Sequence, residues 1–357
     1  MADFHRIQIK DVYKETDDTS VLTFDIPEEL RVGFNFRQGQ HLTLRQIING
    51  EDLRRSYSLC SSPIEDKWQV AVKQIPEGKF STYVNEKLEP GDYLEVMPPS
   101  GTFGVDVSDG IKKNYLFFAA GSGITPVMSM IKTHLAKEPN STCKLFYVNK
   151  TAKSIIFKEE LEQLRNTYFG RLEIYYFLTK EKRDIDLFNG RFDDEKMAVL
   201  TKTFIDIPDT NEVFLCGPEQ MVNYVSNYLI QAGLPKELVH FELFVTGLSD
   251  KDIKRQERLA QQSVEGTEVT IIDGGKEFNF TMTKEFDNIL DAALNAGADL
   301  PYACKGGVCS TCKCKVIDGD VEMKINYALE EDEVAQDLVL SCQAVPTSDR
   351  VAVDFDV

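Results

Sequence analysis

The chain has 357 residues, of which 42% are hydrophobic and 27% charged, with a formal net charge of −18. That length asks for two or three domains, the composition is that of a soluble globular protein, and the acidity argues against nucleic acid or an anionic membrane surface as a partner. The longest apolar runs, such as residues 115–120, are too short to span a bilayer, and the start Met1-Ala2-Asp3-Phe4-His5 has no basic stretch ahead of an apolar one. A cytoplasmic location is therefore expected, with no membrane and no nucleic acid.

Three textures follow one another along the chain. Residues 1–108 read as short strands between frequent turns, as at 21–26, 41–44 and 68–72. Their alternation and β-branched content predict an antiparallel β-barrel or sandwich, the barrel being the expected form. Within this stretch, Arg55-Ser56-Tyr57-Ser58 ends a candidate strand. A flavin needs a flat aromatic against its ring, a hydrogen-bonding group near N5 and a cation for phosphate; Tyr57, Ser58 and Arg55 have those chemistries in that order. Gly78-Lys79-Phe80-Ser81 opens a helical stretch, and a glycine at a helix N-terminus suits a diphosphate, which favours FAD over FMN. Pro98-Pro99-Ser100-Gly101-Thr102-Phe103 reads as a rigid turn closing the barrel.

Residues 109–246 change period. Buried-strand runs at 115–119, 144–148, 172–176 and 212–215 alternate with helical stretches at 126–136, 158–166 and 220–232. Such alternation predicts an α/β domain with a mostly parallel sheet. Ala120-Gly121-Ser122-Gly123-Ile124-Thr125-Pro126 lies between a strand and a helix, where glycines let the backbone approach a pyrophosphate and the helix dipole faces it. A purely structural turn is the competing reading. Cys216-Gly217-Pro218 ends the strand at 212–215. Lys150, Ser154 and Lys180 follow strand ends with cations and a hydroxyl, a set that suits a 2′-phosphate. NADPH is therefore the expected coenzyme, with NADH the alternative.

Residues 247–265 are strongly polar and read as a linker. Beyond it, 266–357 opens with a hairpin at Gly274-Gly275 and a helix near 288–296 that stops at Gly297. This last stretch is the most acidic: residues 267–357 hold 18 acidic and seven basic side chains, a net of −11. Either it is a docking face for an electron-accepting partner, or it is a solvated surface.

Four of the eight cysteines, Cys304, Cys309, Cys312 and Cys314, crowd into eleven residues, and Cys342 follows. The spacing Cys304-x4-Cys309-x2-Cys312, then Cys342, is that of a plant-type [2Fe–2S] site. Four thiolates neutralise two ferric ions bridged by sulfide, and Lys305-Gly306-Gly307-Val308 lets backbone N–H groups wrap the sulfurs. Cys314 breaks the spacing and reads as a strand cysteine. A zinc site would call for a second Cys-x2-Cys knuckle.

The stretch from Leu300-Pro301-Tyr302-Ala303-Cys304 to Leu340-Ser341-Cys342-Gln343 resembles plant-type ferredoxins, which implies a β-grasp fold. The motifs at 55–58, 78–82, 98–103, 120–126 and 216–218 recur in the order found in the ferredoxin–NADP reductase superfamily. That resemblance implies that Val72 and Lys73 lie along the ribityl chain. It also implies that Cys216 lies beside the hydride-transfer carbon, and that Gly217 and Pro218 belong to the nicotinamide site. The family often carries arginine where Lys180 stands; lysine keeps the charge and loses the bidentate fork. The full domain order resembles oxygenase reductase components, implying hydride transfer from a nicotinamide to FAD and single electrons leaving through the cluster. By the same resemblance the acceptor is a diiron oxygenase that epoxidises an aromatic ring, a Rieske, alkane or steroid oxygenase being the alternative. A non-enzymatic zinc or disulfide module is the remote reading; it would be colourless and bind no flavin.

Overall fold

The computed structural model describes residues 3–244, 254–256, 258–259 and 266–357. Most of the expected linker, 247–265, lies outside the described residues. The chain divides into two compact units: one of residues 6–53 with 57–244, the other of the described residues beyond 244 with 3–5 and 54–56.

The larger unit begins with six strands: β1 (His5–Thr16), β2 (Thr19–Asp25), β3 (His41–Ile48), β4 (Glu51–Ser58), β5 (Trp68–Lys73) and β6 (Tyr93–Val96). They pair in the order β4-β3-β6-β1-β2-β5. An antiparallel bridge between Leu59 and Val70 brings the end of β4 to β5 and closes the barrel. Leu22, Phe24, Leu42, Leu44, Val70 and Val72 fill the interior. The alternation expected for a half-exposed strand fails in β2, which is buried on both faces. Its outward Val21, with Ala71 of β5, packs into the core of the following domain.

That domain is a five-stranded parallel sheet of β7 (Asn114–Ala120), β8 (Thr142–Asn149), β9 (Leu172–Leu178), β10 (Glu212–Gly217) and β11 (Val239–Leu243), ordered β11-β10-β7-β8-β9. Strand β11 and one helix, Asp194–Thr203, were not expected from sequence. From β7 the chain builds outward through β8 to β9, then crosses over to add β10 and β11 on the other side. The order therefore reverses between β7 and β10, and a doubly wound sheet opens its binding crevice at the carboxyl ends of such a pair. Gly121–Gly123 and Gly217 stand there. Helices α1 (Lys79–Glu86), α2 (Ile124–Lys137) and α3 (Lys158–Thr167) start after the glycine turns and strands expected; a further helix covers Glu219–Gln231.

The smaller unit has a mixed sheet in which β12 (Thr267–Asp273) pairs antiparallel with β13 (Lys276–Met282) and parallel with the last strand, Arg350–Asp354. Gly274 and Gly275 turn the first hairpin with φ of +58° and +68°, values a two-residue type I′ turn requires at both positions. A short helix, Ile289–Asn295, packs Ile289, Leu290, Ala292 and Ala293 into the core. Its cap, Asn288, accepts a hydrogen bond from the Asp291 N–H at 2.8 Å.

Candidate functional site

The crevice of the larger unit gathers residues from four distant points of the chain. Ser58 ends β4 buried, and its Oγ donates to Glu242 Oε2 at 3.1 Å. Glu242 lies on β11, directly beside Cys216 of β10 in the parallel register. Cys216 is fully buried; burial first, and the Glu242 carboxylate second, push its thiol well above the ordinary range, so it stays a neutral SH. Glu242 is not among the residues expected from sequence. The alternation Val239-His240-Phe241-Glu242-Leu243 after Gly233-Leu234-Pro235 was the signal for its strand.

Glycine shape holds the nicotinamide loop. A Cβ on Gly123 would lie 2.2 Å from the Cys216 carbonyl oxygen, so only glycine lets this turn rest on Cys216-Gly217. Tyr147 Oη donates to the Gly121 carbonyl at 2.9 Å, and Thr125 Oγ1 to the Ser122 carbonyl at 3.0 Å. Pro126 sits in the first turn of α2, where its missing N–H costs nothing. Neither α1, α2 nor the helix after Pro218 has a side-chain cap, so no cap claims their first-turn N–H groups.

On the barrel, the half-buried Tyr57 ring lies 6.0 Å from that of Phe80 at the start of α1. Arg55 is exposed, with Nη1 donating to the Arg54 carbonyl. A Cβ on Gly78 would strike Ile75 Cγ1 at 2.4 Å and Ser81 Oγ at 2.5 Å. Ser81 ties that turn internally, accepting from the Ile75 N–H and donating to the Gly78 carbonyl. Lys79 Nζ meets the Glu51 carboxylate at 2.6 Å, and Lys73 Nζ lies 3.4 Å from Asp18. Val72 points into the barrel core, so only its backbone can meet a ligand.

At the far end of the crevice, Lys150 and Lys180 are both exposed and adjacent, the Lys180 N–H donating to the Lys150 carbonyl at 2.8 Å. Ser154 Oγ is held in the Thr151 capping turn. A carboxylate also sits here: Glu181 Oε2 accepts from the Ala152 N–H at 2.8 Å.

In the smaller unit the cysteine loop carries left-handed backbone at Lys305, Gly307 and Ser310. The Gly306 N–H donates to Cys304 Sγ at 3.3 Å, and Gln343 Nε2 reaches both the Lys305 carbonyl and Cys342 Sγ. The thiols fall into two pairs. A hydrogen bond from Cys304 to Cys309, then burial, raises Cys304; a bond from Cys312 to Cys342, then burial, raises Cys312, and the same contact lowers Cys342. Among the described residues no three His, Cys, Asp or Glu side chains meet as a single-ion site requires. Two thiol pairs fit a two-iron cluster, and metal loading takes the protons that burial would otherwise keep on sulfur. Cys314 is buried in the core of this unit, on the strand that follows the loop. No helix among the described residues is long and apolar enough to cross a membrane.

Fold and sites together define a flavin- and iron–sulfur-dependent oxidoreductase. The chain matches the oxidoreductase FAD-binding domain family over residues 6–104, the oxidoreductase NAD-binding domain family over 117–227, and the 2Fe-2S iron-sulfur cluster binding domain family over 271–347. It is 42% identical to one of the subunits of the 1,2-phenylacetyl-CoA epoxidase of Escherichia coli K12, over 100% of this chain and 99% of that protein. It is 31% identical to the ferredoxin reductase component of the 3-ketosteroid-9-alpha-monooxygenase of Rhodococcus rhodochrous, over 98% of this chain and 96% of that one. In fold it is similar to phthalate dioxygenase reductase, with a TM-score of 0.61 at 23% identity, covering 99% of this chain and 98% of that one. The chain belongs to the reductase components of multicomponent oxygenases, the branch of the ferredoxin–NADP reductase family that ends in a ferredoxin domain.

Proposed function

We propose that this reductase serves an oxygenase that epoxidises phenylacetyl-CoA, that it works in the cytoplasm, and that it draws its electrons from NADPH. The 42% identity over the whole chain to a protein of such an epoxidase is the observation that carries the choice of acceptor. Lys150 and Lys180, side by side at two strand ends, support NADPH. The Glu181 carboxylate among them softens that preference, since it accepts a ribose hydroxyl and repels a phosphate.

When bound, FAD would accept one hydride, an electron pair with its proton, and release the two electrons singly, and a [2Fe–2S] cluster would carry them one at a time. The chain's residues divide the remaining work. Tyr57 would supply an aromatic face for the flavin, Arg55 would neutralise phosphate, and the Gly78–Ser81 turn would offer its backbone to the diphosphate. Gly121, Gly123, Thr125 and Pro126 shape the turn that takes the coenzyme's pyrophosphate, and Gly217 and Pro218 shape the floor under its nicotinamide. Cys216 would fill that floor with a neutral sulfur. Ser58 holds its proton toward Glu242, which gives the site a hydrogen-bonded path from the flavin edge to a carboxylate. Cys304, Cys309, Cys312 and Cys342 hold the cluster. The net charge of −11 over residues 267–357 offers a cationic oxygenase surface a steering field.

Anaerobic titration with NADPH and NADH in separate runs tests the coenzyme: bleaching of flavin and cluster bands at lower NADPH concentration is expected. Turnover with purified oxygenases tests the acceptor. The 3-ketosteroid monooxygenase relative favours a steroid oxygenase as the second reading, and preferential coupling to such an enzyme would replace the first.

A further inference from the structure

One face of α2 is more polar than a buried helix needs. Ser129, Lys132 and Thr133, at spacings that share a face, are all buried. Each reaches across to the segment that leaves β4 just after Ser58. Ser129 Oγ donates to the Ser61 carbonyl at 2.6 Å. Thr133 Oγ1 donates back to the Ser129 carbonyl at 2.6 Å, which leaves Ser62 Oγ as donor in the 2.7 Å contact between Ser62 and Thr133. Lys132 Nζ lies 3.3 Å from Glu65 Oε1 and 2.7 Å from Glu160 Oε1 of α3. Burial works against the Lys132 charge, but the two carboxylates outweigh it and hold the ammonium above its ordinary range.

Simple packing would fill this contact with apolar side chains, because buried ion pairs add little net stability. Directional bonds do something that apolar packing does not: they fix register. The same helix begins at Ile124, immediately after the Gly121–Gly123 turn that rests on Cys216. The helix is thus a bar with the nicotinamide turn at one end and the exit of the flavin strand hooked to its middle. Hydride transfer is steep in distance, and a shift of about 1 Å costs about 10²-fold.

We propose that the Ser129–Lys132–Thr133 face of α2 sets the spacing between flavin and nicotinamide, with Lys132 as its positioning residue. The proposal rests on the reading of Ser58, Cys216 and Glu242 as the place of hydride transfer. The three α2 residues act through their bonds to Ser61, Ser62, Glu65 and Glu160.

The test compares wild-type holoprotein with Thr133→Val, Ser129→Ala and Lys132→Met. Stopped-flow flavin reduction at saturating NADPH should slow about 5-fold for the two hydroxyl variants and about 10²-fold for Lys132→Met, with the coenzyme dissociation constant unchanged. Two readouts stand apart from activity. The long-wavelength charge-transfer absorbance, which needs overlap of the flavin and nicotinamide rings, should fall in the same order. Backbone deuterium uptake at residues 59–62 should rise in the same order. Should Lys132→Met fail to fold, the hydroxyl variants decide. Variants that melt earlier yet keep wild-type reduction rate and charge-transfer band would reduce this face to ordinary packing and overturn the proposal. If instead wild type shows neither reduction nor charge transfer with NADPH or NADH, the hydride-transfer reading itself falls.

Discussion

The hydride end and the electron end of this chain are built by opposite means. At Gly78, Gly123 and Gly217 the larger unit works by leaving side chains out: a Cβ would strike Ile75 and Ser81 at the first, the Cys216 carbonyl at the second, and would crowd Ala120 and Met221 at the third. The cysteine loop of the smaller unit works by putting side chains in, four thiols held by a wrapped backbone. The first site is assembled from positions as far apart as Ser58 and Glu242, 184 residues along the chain, whereas Cys304, Cys309 and Cys312 fall within nine. A site of the first kind depends on how whole elements pack; one of the second kind depends on one loop and the single segment at 342–343 that meets it.

Substitutions can separate the two. The largest effect is expected for Cys312→Ser, which removes a ligand: cytochrome c reduction should drop to background while flavin reduction by NADPH stays within about 2-fold of wild type, read by stopped-flow absorbance. A collapse of both would mean that the two ends are not independent. Gly123→Ala puts a methyl 2.2 Å from the Cys216 carbonyl oxygen. It should cost about 1–3 kcal/mol in urea unfolding and slow flavin reduction about 10²-fold, with the cluster spectrum intact. Ser58→Ala and Glu242→Gln should each slow hydride transfer about 10- to 10²-fold, and the double variant should lose less than the product, because the two share one hydrogen bond. Fully multiplicative losses would show that the Ser58–Glu242 contact is not used.

The smallest effect concerns acid stability. Burial raises the Glu212 carboxyl, but bonds from His240 at 2.8 Å and Lys113 at 2.6 Å outweigh it and hold the group below the ordinary glutamate value of 4.5. A lowered folded-state pKa means stability that is present above pH 4.5 and is lost as pH falls further toward the folded value. Glu212→Gln should therefore cost about 2–4 °C in melting temperature at neutral pH and flatten part of the fall below pH 4.5.

The same contrast governs what could be read in advance. The iron–sulfur domain was visible because its signal is local: the spacing of Cys304, Cys309 and Cys312 maps onto one loop. The parallel sheet was visible in its runs of buried strand residues. Glu242 was not, because a carboxylate on a half-exposed edge strand looks like any solvated acid until β11 sets it beside Cys216 and opposite Ser58. The helix Asp194–Thr203 carried a local signal that went unused, Asp193 capping the Lys196 N–H at 2.9 Å. Nothing in residues 19–25 tells that β2 is buried on both faces, since Val21 packs into a core drawn largely from residues 115–216. Nor does the polar face of α2 announce its targets, for Ser61 and Glu65 lie beyond the reach of any helical period.

Strand β11 ends at Leu243, and the next residue, Phe244, returns its N–H to the Gly217 carbonyl at 3.1 Å. Every contact described for Ser58, Cys216 and Glu242 is thus complete before residue 245. A recombination event that exchanged everything after Phe244 would keep the Ser58–Glu242 bond and the Cys216–Glu242 register within the retained chain.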